Sequence, residues 1–196
     1  MPPVSRPTRR RVTLRAALQP MRQGHLDGLC GLYAIVNAVR AVCPTLTAAQ
    51  CEALFKHVSR TLHRDIRRPR NLITDGIPLS LLWRLVVAAQ RFLAVKFGVR
   101  VCAHRLPRRA RTTQDLGTIW RTLAHELRGG AVAIIGIGGA AAHWTVVVHV
   151  QKRQLQLLDS DGLRLLRRSS CDNRPWAGRY RLLPQDVIVV SGRRVF

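Results

Sequence analysis

The stretch from Gly129 to Gln151 contains no Asp, Glu, Lys or Arg, in a chain of 196 residues of which 22% are charged. A segment that apolar has to leave water, so it either spans a membrane or forms the centre of a folded core. Its own residues decide against a membrane helix. Gly136, Gly138 and Gly139 interrupt it, His143 and His149 sit inside it, and Val146-Val147-Val148 is β-branched. These features predict two buried strands joined by a glycine-rich turn. At this length a chain buries roughly 70% of its unfolded surface, so one core needs no disulfide or metal to hold it.

The elements around that core follow from periodicity. Gly28 to Val39 reads as a buried helix, with Leu29, Leu32, Tyr33, Val36 and Val39 on one stripe. Thr47-Ala-Ala-Gln50 fits a capping box opening a second helix to about His63. Pro78, at a first helical position, opens a third from Leu79 to Phe97. A short strand over Val99 to Ala103 and a fourth helix over Thr113 to Leu127 come next, the latter stopped by Gly129-Gly130. Strands follow over Ala131 to Ile137, His143 to Val150, Gln154 to Asp159, Arg179 to Leu183 and Asp186 to Val190. Helices first and neighbouring strands after them predict an α+β fold with a mostly antiparallel sheet. Residues 21–196 read as one domain behind a basic arm over 1–20, whose Arg-rich, acid-free composition fits a disordered segment or an amphipathic organelle-targeting peptide alike.

Charge is lopsided, with 33 Lys plus Arg against 10 Asp plus Glu and a net charge of +23, and only Lys56, Lys96 and Lys152 are lysines. Such a surplus attracts anions without specificity and is silent about fold. It keeps open weak binding of nucleic acid or of an acidic protein. The arginines are scattered, however, and aromatics are only 5%, too few to supply base-stacking platforms. Five cysteines, Cys30, Cys43, Cys51, Cys102 and Cys171, are odd in number with no C-x-x-C pair, which points to a reducing, cytoplasmic compartment, reached by synthesis there or by delivery as an effector. The start, Met1 to Pro20, has five arginines, no acid and no apolar run of signal-peptide length. No cofactor or metal is implied, and no membrane span.

Chemistry concentrates in Gln23-Gly-His25-Leu-Asp27-Gly-Leu-Cys30-Gly31. A cysteine in the first turn of a buried helix has its thiolate stabilised by unpaired N–H groups and by the helix dipole. Gly31 would keep space beside the sulfur open, and Gln23 on the entering loop can aim its amide at an oxyanion above Cys30. The second half of the chain supplies the partners. His143-Trp144 opens one strand and Asp159-Ser160-Asp161-Gly162 ends the next, and a hairpin of this length can bring residues 143 and 159 together. His143 would take the thiol proton, Asp159 would hold the imidazole tautomer, and Trp144 could shield their hydrogen bond from water. Asp161 competes with Asp159 as orienter, but falls in an Asp-Gly turn where Asp is common for local reasons. His149 shares a strand face with His143 and reads as a packed or rim histidine, His25 as a loop residue lining the cleft, and Cys43, Cys51 and Cys102 as core thiols.

A glutamine, then Cys-Gly opening a helix, then His-Trp on a strand and Asp-Ser ending the next, resembles the papain-like cysteine peptidases over Gln23 to Gly162. Within that group the pattern is similar to bacteriocin-leader-processing peptidase domains and to Josephin-type proteases; of the Ulp-type enzymes only the His-Trp to Asp-Ser half is matched. Gly31 stands where papain itself has a tryptophan. The resemblance implies a papain-like fold, an N-terminal helical lobe with the cysteine helix packed on the sheet, and a thiol protease with Cys30 as nucleophile, His143 as base, Asp159 as orienter and Gln23 in the oxyanion hole. Its substrate would be a protein or peptide, cleaved at a peptide or isopeptide bond. The same machinery supports deamidation or acyl transfer of the transglutaminase kind. Outside enzymes, an inactive basic binding module is the alternative.

Overall fold

The structure, a computed structural model, describes residues 19–21, 29–65, 76–106, 115–139, 142–173 and 180–192. Four helices are described: α1 (Cys30–Val42), α2 (Ala48–Asp65), α3 (Leu79–Phe97) and α4 (Leu116–Glu126). The strands are β1 (Val101–Arg105), β2 (Val132–Gly139), β3 (His143–Val150), β4 (Gln154–Leu158), β5 (Leu165–Arg167), β6 (Cys171–Asp172) and β7 (Tyr180–Gly192). They form one sheet in the order β1-β7-β2-β3-β4-β5, antiparallel throughout, with β6 added to β7 in parallel. The class is α+β, and the charge-free stretch supplies the two central strands.

Local chemistry explains the helix boundaries. Thr47 and Gln50 form the reciprocal capping box, Gln50 N–H donating to Thr47 Oγ1 at 3.2 Å and Thr47 N–H to Gln50 Oε1 at 2.9 Å. Pro78 is the N-cap of α3 rather than its first residue: its extended φ/ψ lies outside the helix while its carbonyl accepts the amides of Leu81 and Leu82. Helix α4 begins at Leu116, three residues later than the sequence pattern suggests, because the Asp115 carboxylate caps it by accepting Thr118 N–H at 2.6 Å.

Two findings revise the sequence reading. Every residue of α1 except Tyr33 and Arg40 is buried, so this helix has no single inward stripe. It lies between the sheet on one side and α2 and α3 on the other, and Tyr33, half-buried, packs its ring 4.9 Å from that of Phe55. The second revision concerns the last two strands, which are one. Ile135 pairs with Val187 and Ile137 with Leu182, so residues 183–186 bulge out opposite Gly136 alone. Pro184 lies in that bulge, where its missing amide N–H costs the ladder nothing.

The sheet separates two cores. Cys30, Val36, Val132, Ile134, Trp144, Val146 and Ile188 join the helical side, whereas Ile135, Val147, Leu155, Leu182 and Val189 pack with Ile119, Trp120 and Leu123 of α4 on the other. The arm is tied down where its end is described. Asn37, fully buried in α1, accepts Met21 N–H at 2.8 Å and donates to Met21 O at 3.2 Å, and Arg40 donates to Gln19 O at 2.8 Å. Residues 1–18 lie outside the described residues.

Candidate active site

Cys30 is the first residue of α1 and is 5% exposed. Helix geometry leaves its amide without an intrahelical acceptor and turns the positive end of the dipole toward the sulfur. The sulfur meets the start of β3: Trp144 N–H donates to Cys30 Sγ at 3.4 Å. Gly31 does not leave an opening there. A Cβ at 31 would stand 3.1 Å from both Ile77 Cδ1 and Leu82 Cδ1, so the glycine lets the helix start press against α3 and against Ile77, just ahead of its N-cap.

The Trp144 side chain is fixed from two sides. Its indole N–H donates to Ile77 O at 2.7 Å, and its ring fills the space that Gly136 leaves across the strand pair. The ring therefore belongs to the helical core, and its place there ties the residue before α3 to the strand carrying His143. That is a positional role, beside which the shielding of the His143–Asp159 bond expected from sequence is left open.

His143 and Asp159 meet through strand register. Val146 lies opposite Leu158 and Val147 opposite Leu157, which continues to residue 145 opposite 159 and sets His143 diagonal to Asp159 on the same face. His143 Nε2 lies 2.7 Å from Asp159 Oδ2, with side-chain exposures of 14% and 1%. The Cys30 side chain is close enough to the ring to be among the groups that raise it. Asp159 Oδ1 accepts the amides of Asp161 at 2.9 Å and Leu163 at 3.0 Å, so the Asp-Ser-Asp-Gly turn wraps its own carboxylate. Burial alone would pull the imidazole down, but the hydrogen bonds to Asp159 and Cys30 and the Asp159 charge outweigh it and raise His143 to about 10. Burial likewise pushes the Asp159 carboxyl up; His143, Thr145 and the Leu163 amide outweigh it and hold the carboxyl below its usual range.

The other expected residues fall as follows. Gln23, His25 and Asp27 lie outside the described residues. Asp161 is exposed and reaches the site through its backbone amide. His149 is exposed at the far end of β3, and a register shift between Val147 and His149 breaks the alternation that would place it on the face of His143. Cys51 is buried and Cys43 half-buried, but Cys102 is exposed on the edge strand β1 and is no core thiol. Cys171 is a core thiol, donating to Arg167 O at 3.1 Å, with burial pushing it up to about 12. The sequence reading missed Ile77 O and Thr145. Thr145 alternates to the face of His143 and could have been found from that spacing; nothing local marks the Ile77 carbonyl.

Among the described residues no three His, Cys, Asp or Glu side chains could share a metal ion, and no helix is long and apolar enough to cross a membrane. The arrangement is a sulfur, an imidazole and a buried carboxylate in series, able to move a proton between sulfur and ring and to stabilise the imidazolium that results. No model of a known protein family matches the chain, and no curated protein matches it.

Proposed function

We propose that the protein is a thiol hydrolase of the papain-like type, opening a peptide or isopeptide bond of a protein substrate through an acyl-enzyme on Cys30. The observation that carries this reading is that His143 is hydrogen-bonded to the buried Asp159 carboxylate at 2.7 Å while Cys30 Sγ accepts the amide of the adjoining Trp144 at 3.4 Å, so that both Asp159 and Cys30 act on one imidazole. A structural histidine needs one such partner, and a core cysteine needs neither.

In the proposed reaction the Cys30 proton is already held on the raised His143 ring, and the thiolate attacks the carbonyl carbon. The Cys30 amide and the Gln23 side chain donate to the oxyanion. As the tetrahedral intermediate collapses, the carbon–nitrogen bond breaks and the imidazolium protonates the departing amine, leaving a thioester. Water then gives a proton to His143 and attacks the thioester, and the returning proton releases the thiol. Asp159 keeps the ring turned so that Nδ1 faces sulfur in both halves. If an amine replaces that water the same site transfers the acyl group, and if the scissile bond is a side-chain amide it deamidates.

Iodoacetamide at neutral pH should alkylate Cys30 ahead of the exposed Cys102, and Cys30→Ala should abolish turnover of any substrate found. Equal labelling of the two thiols, or activity surviving Cys30→Ala, would remove the reading.

A further inference from the structure

An ionised carboxylate offers about four acceptor positions, two on each oxygen. At Asp159 three are taken: both on Oδ1 by the amides of Asp161 and Leu163, and one on Oδ2 by His143. Thr145, 1% exposed, stands opposite Asp159 in the extended register of β3 and β4, and its buried hydroxyl oxygen has no hydrogen-bond partner. Buried hydroxyls without partners are rare, and this one is beside a buried charge with one acceptor position left.

We propose that Thr145 is a positioning residue whose hydroxyl rotates to donate to Asp159 Oδ2, completing the carboxylate's shell and fixing the orientation in which it holds His143. A threonine hydroxyl can make this turn about one bond with no backbone movement. The catalytic consequence rests on the thiol-hydrolase reading; the hydrogen bond itself does not.

The test uses the full chain and three variants, Thr145→Val, Thr145→Ala and Thr145→Ser. Two measurements are made: the rate of Cys30 alkylation by iodoacetamide across pH, and the titration of the His143 ring by NMR. Loss of a hydrogen bond to a charged group should slow alkylation roughly tenfold in the valine and alanine variants and move the His143 titration down by about one pH unit. Serine should restore both. The opposite outcome is equally readable, because removing a hydroxyl that truly lacks a partner costs nothing: a valine variant with the wild-type His143 titration and an unchanged or higher melting temperature overturns the proposal. Should valine fail to fold, alanine carries the same comparison. Should wild-type Cys30 not label preferentially, the hydrolase reading falls, and the ring titration still decides the role of Thr145.

Discussion

Asp159→Asn tests the core of the site because it keeps the shape while reversing one hydrogen bond and removing one charge. The side-chain oxygen can still accept the Asp161 and Leu163 amides, so the turn survives. The new amide N–H₂ then faces His143 Nε2, which has to become an acceptor, and the ring proton moves to Nδ1, facing sulfur. In that tautomer the ring cannot take the thiol proton, and no carboxylate remains to steady an imidazolium. The corresponding change in a serine triad costs about 10⁴ in rate; a thiol is the better nucleophile, so a loss of roughly 10²–10³ in Cys30 alkylation rate is expected here. A second consequence can be read without any substrate. His143 is raised from 6.5 to about 10, so its contribution to stability is complete below pH 6.5 and disappears as pH rises toward 10. Urea denaturation in a Cys30→Ala background removes the thiol that could exchange a proton with the ring. With the Cys30 share of the raise gone, what remains is the carboxylate's, and between pH 7 and 8.5 that protein should lose stability as pH rises, by at most about 1.4 kcal/mol per pH unit. Adding Asp159→Asn should flatten this slope. Parallel slopes with and without the carboxylate would refute the pairing on which the site is built.

At the acid end the sign reverses: Asp159 is held low, so its contribution is present above about pH 4 and lost below, and the stability advantage of wild type over Asp159→Asn, measured by urea denaturation followed by circular dichroism, should shrink as pH falls below about 4. Gly31→Ala would put a methyl 3.1 Å from Ile77 and Leu82, and should destabilise the chain by about 1–3 kcal/mol in urea denaturation. Trp144→Phe keeps most of the ring but leaves Ile77 O without its donor, and should cost about 1–3 kcal/mol in the same assay and slow Cys30 alkylation by shifting the start of β3. Thr47→Ala removes half of a capping box remote from the site; about 1 kcal/mol, or 2–4 °C in melting temperature, should be lost with Cys30 alkylation unchanged.

Much of this architecture is legible in the sequence where local chemistry decides. β3 runs from His143 to Val150 as its β-branched pattern predicts, and α3 from Leu79 to Phe97, because a buried strand and a long apolar helix are specified by the residues they contain. What the pattern could not carry was pairing. Whether residues near 180 and near 190 form one strand or two depends on a partner, β2, whose Gly136 tolerates a four-residue bulge. β5 and β6 are three and two residues long and exist as strands only because β4 and β7 offer edges to them. Helix α1 looks amphipathic in isolation and is buried all round, since only the assembled molecule reveals that helices cover its second face.

The candidate site divides along the same line. Residue types at Cys30, His143 and Asp159 can be picked out by their chemistry, but their meeting depends on a register that no single segment contains. Two long-range bonds set it: Trp144 N–H to Cys30 Sγ across 114 residues, and the Trp144 indole to Ile77 O across 67. Both run through one residue, adjacent to the histidine, so one strand position fixes the sulfur from the backbone and the flank of α3 from the side chain. The placing of Cys30, His143 and Asp159 is thus a property of the helix–sheet interface as a whole. For that reason substitutions such as Trp144→Phe, which alter no titratable group, should still reach the chemistry: they move the strand start on which His143 is carried.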